Sequence, residues 1–192
     1  VSTLREPRPG LLLVSALAAR EWWAEGWNAL RRELSGRFGP LWSESELLPF
    51  DHTDYYAAEL GAPLFRRLLA FERLAPLDSL VEAKRFACGL ERGLARPDGA
   101  RRVNLDPGLL TLERLVLASG KNFTHRIYLG RGVWADLTLI YNKRTGWVDL
   151  PWTFPDYASE TMKRRLTELR ALYKTRIEAG VKPARQGESP CP

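Results

Sequence analysis

Val133-Trp134-Ala135-Asp136-Leu137-Thr138-Leu139-Ile140-Tyr141 stands between Gly130-Arg131-Gly132 and Asn142-Lys143-Arg144-Thr145-Gly146. β-Branched and aromatic residues bounded by turn formers read as a strand. Two more β-rich stretches, His125 to Leu129 and Trp147 to Leu150, lie beyond the two turns, so the three together predict two antiparallel hairpins. Ahead of them, Asp106-Pro107-Gly108 reads as a turn closing Val103-Asn104-Leu105, and 109–119 fits helix or strand equally.

Further towards the N-terminus the pattern changes. Leu11 to Leu17 is a short apolar run suited to a buried strand, and Trp23, Trp27, Leu30, Leu34 and Phe38 recur at helical steps until Gly39-Pro40. A second strand is expected over Trp42 to Leu48, then a short helix capped by Asp51 or Thr53 and stopped by Gly61 and Pro63, then a third strand over Leu64 to Leu74. Ser79-Leu80-Val81-Glu82 matches a capping box opening a helix to about Leu94, and Ala95 to Arg102 reads as a loop. After the hairpins, the prolines of Pro151-Trp152-Thr153-Phe154-Pro155-Asp156-Tyr157 exclude a helix interior or central strand and mark a rigid crossing segment. Met162, Leu166, Leu169, Tyr173 and Ile177 mark a last amphipathic helix, and 180–192 is a fraying tail.

Strands alternating with helices and followed by hairpins predict an α+β fold: a mixed or mainly antiparallel sheet with helices packed mostly on one face, a ferredoxin-like core with added hairpin strands. A doubly wound α/β fold is the alternative. Residues 1–179 form one expected domain, a size at which a single core closes well.

Hydrophobic residues make 45% and charged residues 27% of the 192, which excludes a disordered or fibrous chain. Two cysteines, Cys88 and Cys191, build neither a disulfide framework nor a four-ligand zinc site, which fits a cytoplasmic setting. No apolar run reaches membrane-spanning length, so no membrane partner is expected. The net charge of +6 favours encounter with anionic partners without choosing among them.

The densest polar cluster is Asp51-His52-Thr53-Asp54-Tyr55-Tyr56. Its carboxylates and imidazole could hold a divalent metal, with Asp51 and Asp54 as ligands, or move protons near neutral pH; helix capping and packing explain the same residues. Lys121, His125 and Arg126 could clamp a phosphate or carboxylate. Ser119-Gly120-Lys121 resembles the end of a phosphate-binding loop, but Leu115 and Asn122 stand where that motif needs Gly and Ser or Thr.

Phe50-Asp51-His52-Thr53-Asp54-Tyr55-Tyr56, Arg102-Val103-Asn104-Leu105-Asp106-Pro107-Gly108, His125-Arg126-Ile127-Tyr128-Leu129 and Pro151-Trp152-Thr153-Phe154-Pro155-Asp156-Tyr157, in that order, resemble a bacterial family named only as domain of unknown function 4416. The likeness runs from about Leu11 to Tyr173 and implies no established activity.

Two functions are therefore expected candidates. One is binding, or metal-assisted turnover, of a phosphorylated or other anionic small molecule. Asp51, Asp54, Asp106 and His125 would be its catalytic groups, and His52, Tyr55, Tyr56, Lys121, Arg126, Trp152, Asp156 and Tyr157 its binding groups. The other is a non-catalytic module for RNA or protein, whose nucleic-acid affinity would fall steeply with salt.

Overall fold

A computed structural model describes residues 3–53 and 55–180. All strand pairs are antiparallel, and the fold is α+β. Strand β1 (Gly10–Ala19) leads into helix α1 (Arg20–Phe38), then β2 (Leu41–Glu44), β3 (Leu48–Phe50), the one-turn helix α2 (Ala57–Leu60) and β4 (Leu64–Ala75). Helix α3 (Leu80–Gly93) returns the chain to β5 (Val103–Leu110). The sheet is completed by β6 (Arg114–Ser119), β7 (Arg126–Gly130), β8 (Val133–Asn142) and β9 (Gly146–Asp149), and α4 (Pro155–Ala158) and α5 (Glu160–Glu178) follow.

The strand order β2-β4-β1-β5-β6-β8-β7, with β3 beside β4 and β9 beside β8, contains a ferredoxin-like core. Its β-α-β-β-α-β units are β1, α1, β2, β4, α3 and β5, and β6 to β9 extend the sheet from β5. β1 lies inside the sheet, between β4 and β5, and is buried throughout, which is why it reads as a continuous apolar run.

Alternation along β1 divides the core. Leu12, Val14, Ala16 and Ala18 face α1 and α3, while Leu11 and Leu13 face α5 through Met162, Leu166, Leu169 and Tyr173. Two of the three long helices thus share one face and α5 covers the other. Each of those α5 side chains stabilises the fold by about 1.5–3 kcal/mol through the apolar area it buries.

Several local expectations change. The strand expected over 42–48 is two strands, because Ser45 pairs outside the ladder, its Oγ accepting from Leu68 N at 3.0 Å. Asp51 and Thr53 do not cap α2, which begins after Tyr56; the Thr53 hydroxyl accepts from Tyr55 N. The Ser79 box does not close, since its hydroxyl donates to Pro76 O at 2.6 Å and Glu82 turns to Arg85 and Arg131. Residues 109–119 form the end of β5, a Thr111–Glu113 turn and β6. The rigid segment ends in α4, where Pro155 takes the first helical turn, a position that needs no N–H. The tail expected over 180–192 lies outside the described residues beyond Gly180.

The largest change concerns Asp106-Pro107-Gly108, which is no turn but the middle of β5, opposite Ser15, Val14 and Leu13 of β1.

Candidate functional site

A proline inside a central strand needs an unpaired edge. Gly108 to Leu110 pair with Leu117 to Leu115 of β6, but from Val103 to Pro107 β5 is paired only to β1. At Gly108 the strands still touch: a Cβ there would stand 2.6 Å from Leu117 Cδ2 and 3.0 Å from Val116 O. Beyond it they part, and α3 supplies the missing partners. Leu105 N–H donates to the Glu91 carboxylate at 2.6 Å, and Lys84 Nζ donates to Leu105 O at 2.8 Å. Pro107, two residues along, turns the same edge outward and has no donor to satisfy.

On the α5 side of this parting lies a row of paired polar groups. Lys84 Nζ reaches Asp106 Oδ1 at 3.0 Å, and Asn104 Nδ2 donates to Asp106 Oδ2 at 2.7 Å. Arg101 donates to Asn104 Oδ1 at 2.7 Å and grips both Glu59 oxygens at 2.7 Å, tying the α2 segment to β5. Opposite Asp106 on β1, Ser15 accepts from buried Arg66, which pairs with Asp156 at 2.8 Å and lies against the rings of Phe50 and Tyr157.

These contacts set the charges. Burial disfavours an ionised Asp106, but Lys84, Arg66 and the Asn104 amide outweigh it and hold the carboxyl below its usual range. Burial likewise opposes the Lys84 charge, and Asp106 and Glu91 reverse that to raise its value. Glu91 goes the other way: burial wins and its carboxyl is raised. Glu59 is lowered by Arg101, and burial raises the hydroxyls of Tyr56 and Tyr157. Asp106 is thus an acceptor held ionised at neutral pH rather than a group poised to exchange a proton.

A second cluster adjoins the row. Arg126 pairs with Asp136 across β7 and β8, Asp136 with Leu117, and Leu117 with Gly108, which puts Asp136 and Arg126 on the same face as Asp106. Arg126 Nε and His125 Nε2 share Asp136 Oδ2 at 2.8 and 3.3 Å. The His125 imidazole stacks on Trp152 at 4.8 Å with 6° between planes, and Trp152 is pinned by its Nε1–H to Leu137 O at 2.8 Å. Lys121 Nζ donates to Tyr55 Oη at 2.7 Å, which joins the loop after β6 to the segment before α2 and lowers the phenol's pKa.

All four polar segments singled out in the sequence therefore meet on one sheet face, but not all their residues take part. Asp106, Tyr56, Asp156 and Tyr157 lie in the row; Tyr55, Lys121, His125, Arg126 and Trp152 form the second cluster. Asp51 has an 85% exposed side chain and among the described residues pairs with the neighbouring His52, at 3.9 Å, and His52 packs edge-on to Phe50. Asp54 lies outside the described residues. Among the described residues no three His, Cys, Asp or Glu side chains converge as a metal-ligand set. Of two shallow hollows, one by Trp22, Leu60 and Arg102 and one by Phe38, Arg73 and Pro76, neither is lined by a residue of the row.

Sequence reasoning passed over Ser15, Arg66, Lys84, Glu91, Arg101, Asn104 and Asp136. Some left a signal: Ser15 interrupts an apolar run, and Lys84 and Glu91 stand seven apart on the α3 stripe that carries buried Leu80 and Ala87.

No helix among the described residues is long and apolar enough to cross a membrane. No curated protein and no solved structure matches the chain. A family model described as "Domain of unknown function (DUF4416)" matches residues 9–173, and that extent shows that the chain belongs to this family.

Proposed function

We propose that the chain binds a phosphorylated or otherwise anionic small molecule on the sheet face where β5 and β6 part, in a cytoplasmic setting. The observation that carries this is the placement, on one sheet face, of an ionised, one-quarter exposed carboxylate, Asp106, and of cations and flat rings drawn from three other segments. Lys121 and Arg126 would take the anionic group, and His125 and Trp152 would floor the site. Asp106, lowered in pKa, would accept hydrogen bonds from ligand hydroxyls. A polyhydroxylated phosphate such as a sugar phosphate suits that pairing better than phosphate alone.

Thermal-shift measurements with inorganic phosphate, sugar phosphates and nucleotides, each with and without Mg²⁺, test this. A ligand at a hundredfold its Kd adds about 2.7 kcal/mol, or roughly 5–10 °C in a domain of this size. Sugar phosphates are expected to give such a shift and inorganic phosphate a smaller one, with Lys121→Ala and Asp106→Asn each removing most of it. A flat response to the whole panel at millimolar concentration would sink the proposal.

A further inference from the structure

The two edges of the sheet are finished differently. At the β2 and β3 edge, Glu44 is paired with Arg67 at 2.6 Å and Arg31 at 3.6 Å, Trp42 is covered by Arg176 of α5, and β3 contains Pro49. These are the charge, cover and proline by which edge strands avoid pairing. Among the described residues β7 is bonded to β8 alone, and it has no proline or lysine. It leaves Ile127 70%, Tyr128 55% and Leu129 41% exposed, with Phe123 60% exposed just before it. Apolar side chains beside an open ladder are a pairing surface.

We infer that β7 is the contact through which two copies of this chain associate, β7 against β7 and antiparallel, joining the two sheets across a twofold axis. The choice of a second copy rests on the strand's self-complementarity. Pairing centred on Tyr128 sets Ile127 opposite Leu129 of the other copy, Leu129 opposite its Ile127, and Arg126 opposite Gly130. No like charges meet, because each Arg126 stays with its own Asp136 at 2.8 Å and each Arg131 with its own Glu82 at 2.7 Å. The register shift between Tyr128 and Gly130 makes Leu129 the extra residue of a bulge, so the open ladder is regular only over Arg126 to Tyr128 and Leu129 takes part through its side chain. An aromatic side chain buries about 150–250 Å² in full, so each of the four side chains offers on the order of 100 Å² and the two copies together on the order of 800 Å². That is below the size of a stable specific interface and fits a weak, reversible dimer.

Sedimentation equilibrium of the full chain between about 2 and 200 µM tests the inference. Wild type is expected to pass from monomer to dimer over that range. Ile127→Lys and Leu129→Glu, both at exposed positions, are each expected to weaken association at least tenfold with the melting temperature unchanged. Mixing the two variants should restore a heterodimer, since the register places the new lysine opposite the new glutamate. Ser43→Lys, at the other edge, should leave association intact. A wild type that stays monomeric to 200 µM, dimerisation indifferent to both β7 variants, or a mixture no tighter than its components would each overturn the proposal.

Discussion

Arg66 is an arginine in β4, an interior strand of the sheet, with a side chain only 7% exposed and the ring centroids of Phe50 and Tyr157 at 5.0 and 5.3 Å. A guanidinium in that place is tolerable because Asp156 and Ser15 meet it. The consequence is asymmetric. Asp156→Asn leaves the cation buried and half-paired and is expected to cost about 3–5 kcal/mol, whereas the double variant Arg66→Met, Asp156→Leu replaces the pair with apolar volume and should recover most of that loss. Urea unfolding of the three proteins decides it; equal losses in the single and double variants would mean the pair matters only through packing. In the sequence Arg66 was hidden among interleaved basic and apolar residues, and nothing in a local pattern distinguishes a buried arginine from a snorkelling one. Asp156 was legible because two prolines and aromatics frame it.

At the scale of elements, the seam between α3 and β5 shows where local reading fails. Asp-Pro-Gly is a turn signal by its own chemistry. It stays extended because α3 brings Lys84 and Glu91 to an edge that β6 has left, and no window around residue 106 contains that information. The same seam gives two carboxylates of opposite titration. Burial disfavours Asp106's charge but Lys84 outweighs it, so its stabilising contribution is present above the ordinary aspartate range, about pH 4, and is lost as pH falls through the lower folded value. Burial raises Glu91, so its contribution is complete below the usual 4.5 and is lost as pH rises through the folded value. Asp106→Asn is therefore expected to be less stable than wild type at pH 6–7, with the gap closing towards pH 3. Glu91→Gln should lead wild type near neutrality, with that lead closing towards pH 4. Differences that stay constant with pH in chemical denaturation would remove both assignments.

For the molecule as a whole, the hairpins and the helix periods were enough to place an antiparallel α+β sheet, since the turn residues of 130–132 and 142–146 and the stripe of α5 are local signals. The meeting of residues 55 and 121, or of 84 and 106, depends on topology alone. That topology also ranks the strands. β1 is bonded over Gly10–Ala19 to β4 and over Leu11 to Ala18 to β5, with apolar layers on both faces, while β7 and β9 each pair with one neighbour through a few residues. Opening β1 means dismantling the ferredoxin-like core, so its amides should exchange only by global unfolding, whereas β7 and β9 can open by local fraying at a small fraction of that free energy. Hydrogen exchange followed by mass spectrometry is expected to find β1 slowest, β4 and β5 close behind, and β7 and β9 fastest among the strands by orders of magnitude in a dilute sample. Raising the concentration should slow β7 selectively if it is the contact between copies and leave β9 unchanged. A β7 as protected as β1 at low concentration would contradict the ranking itself, because one neighbour and the Arg126–Asp136 pair hold it far less firmly than two neighbours and two apolar layers hold β1.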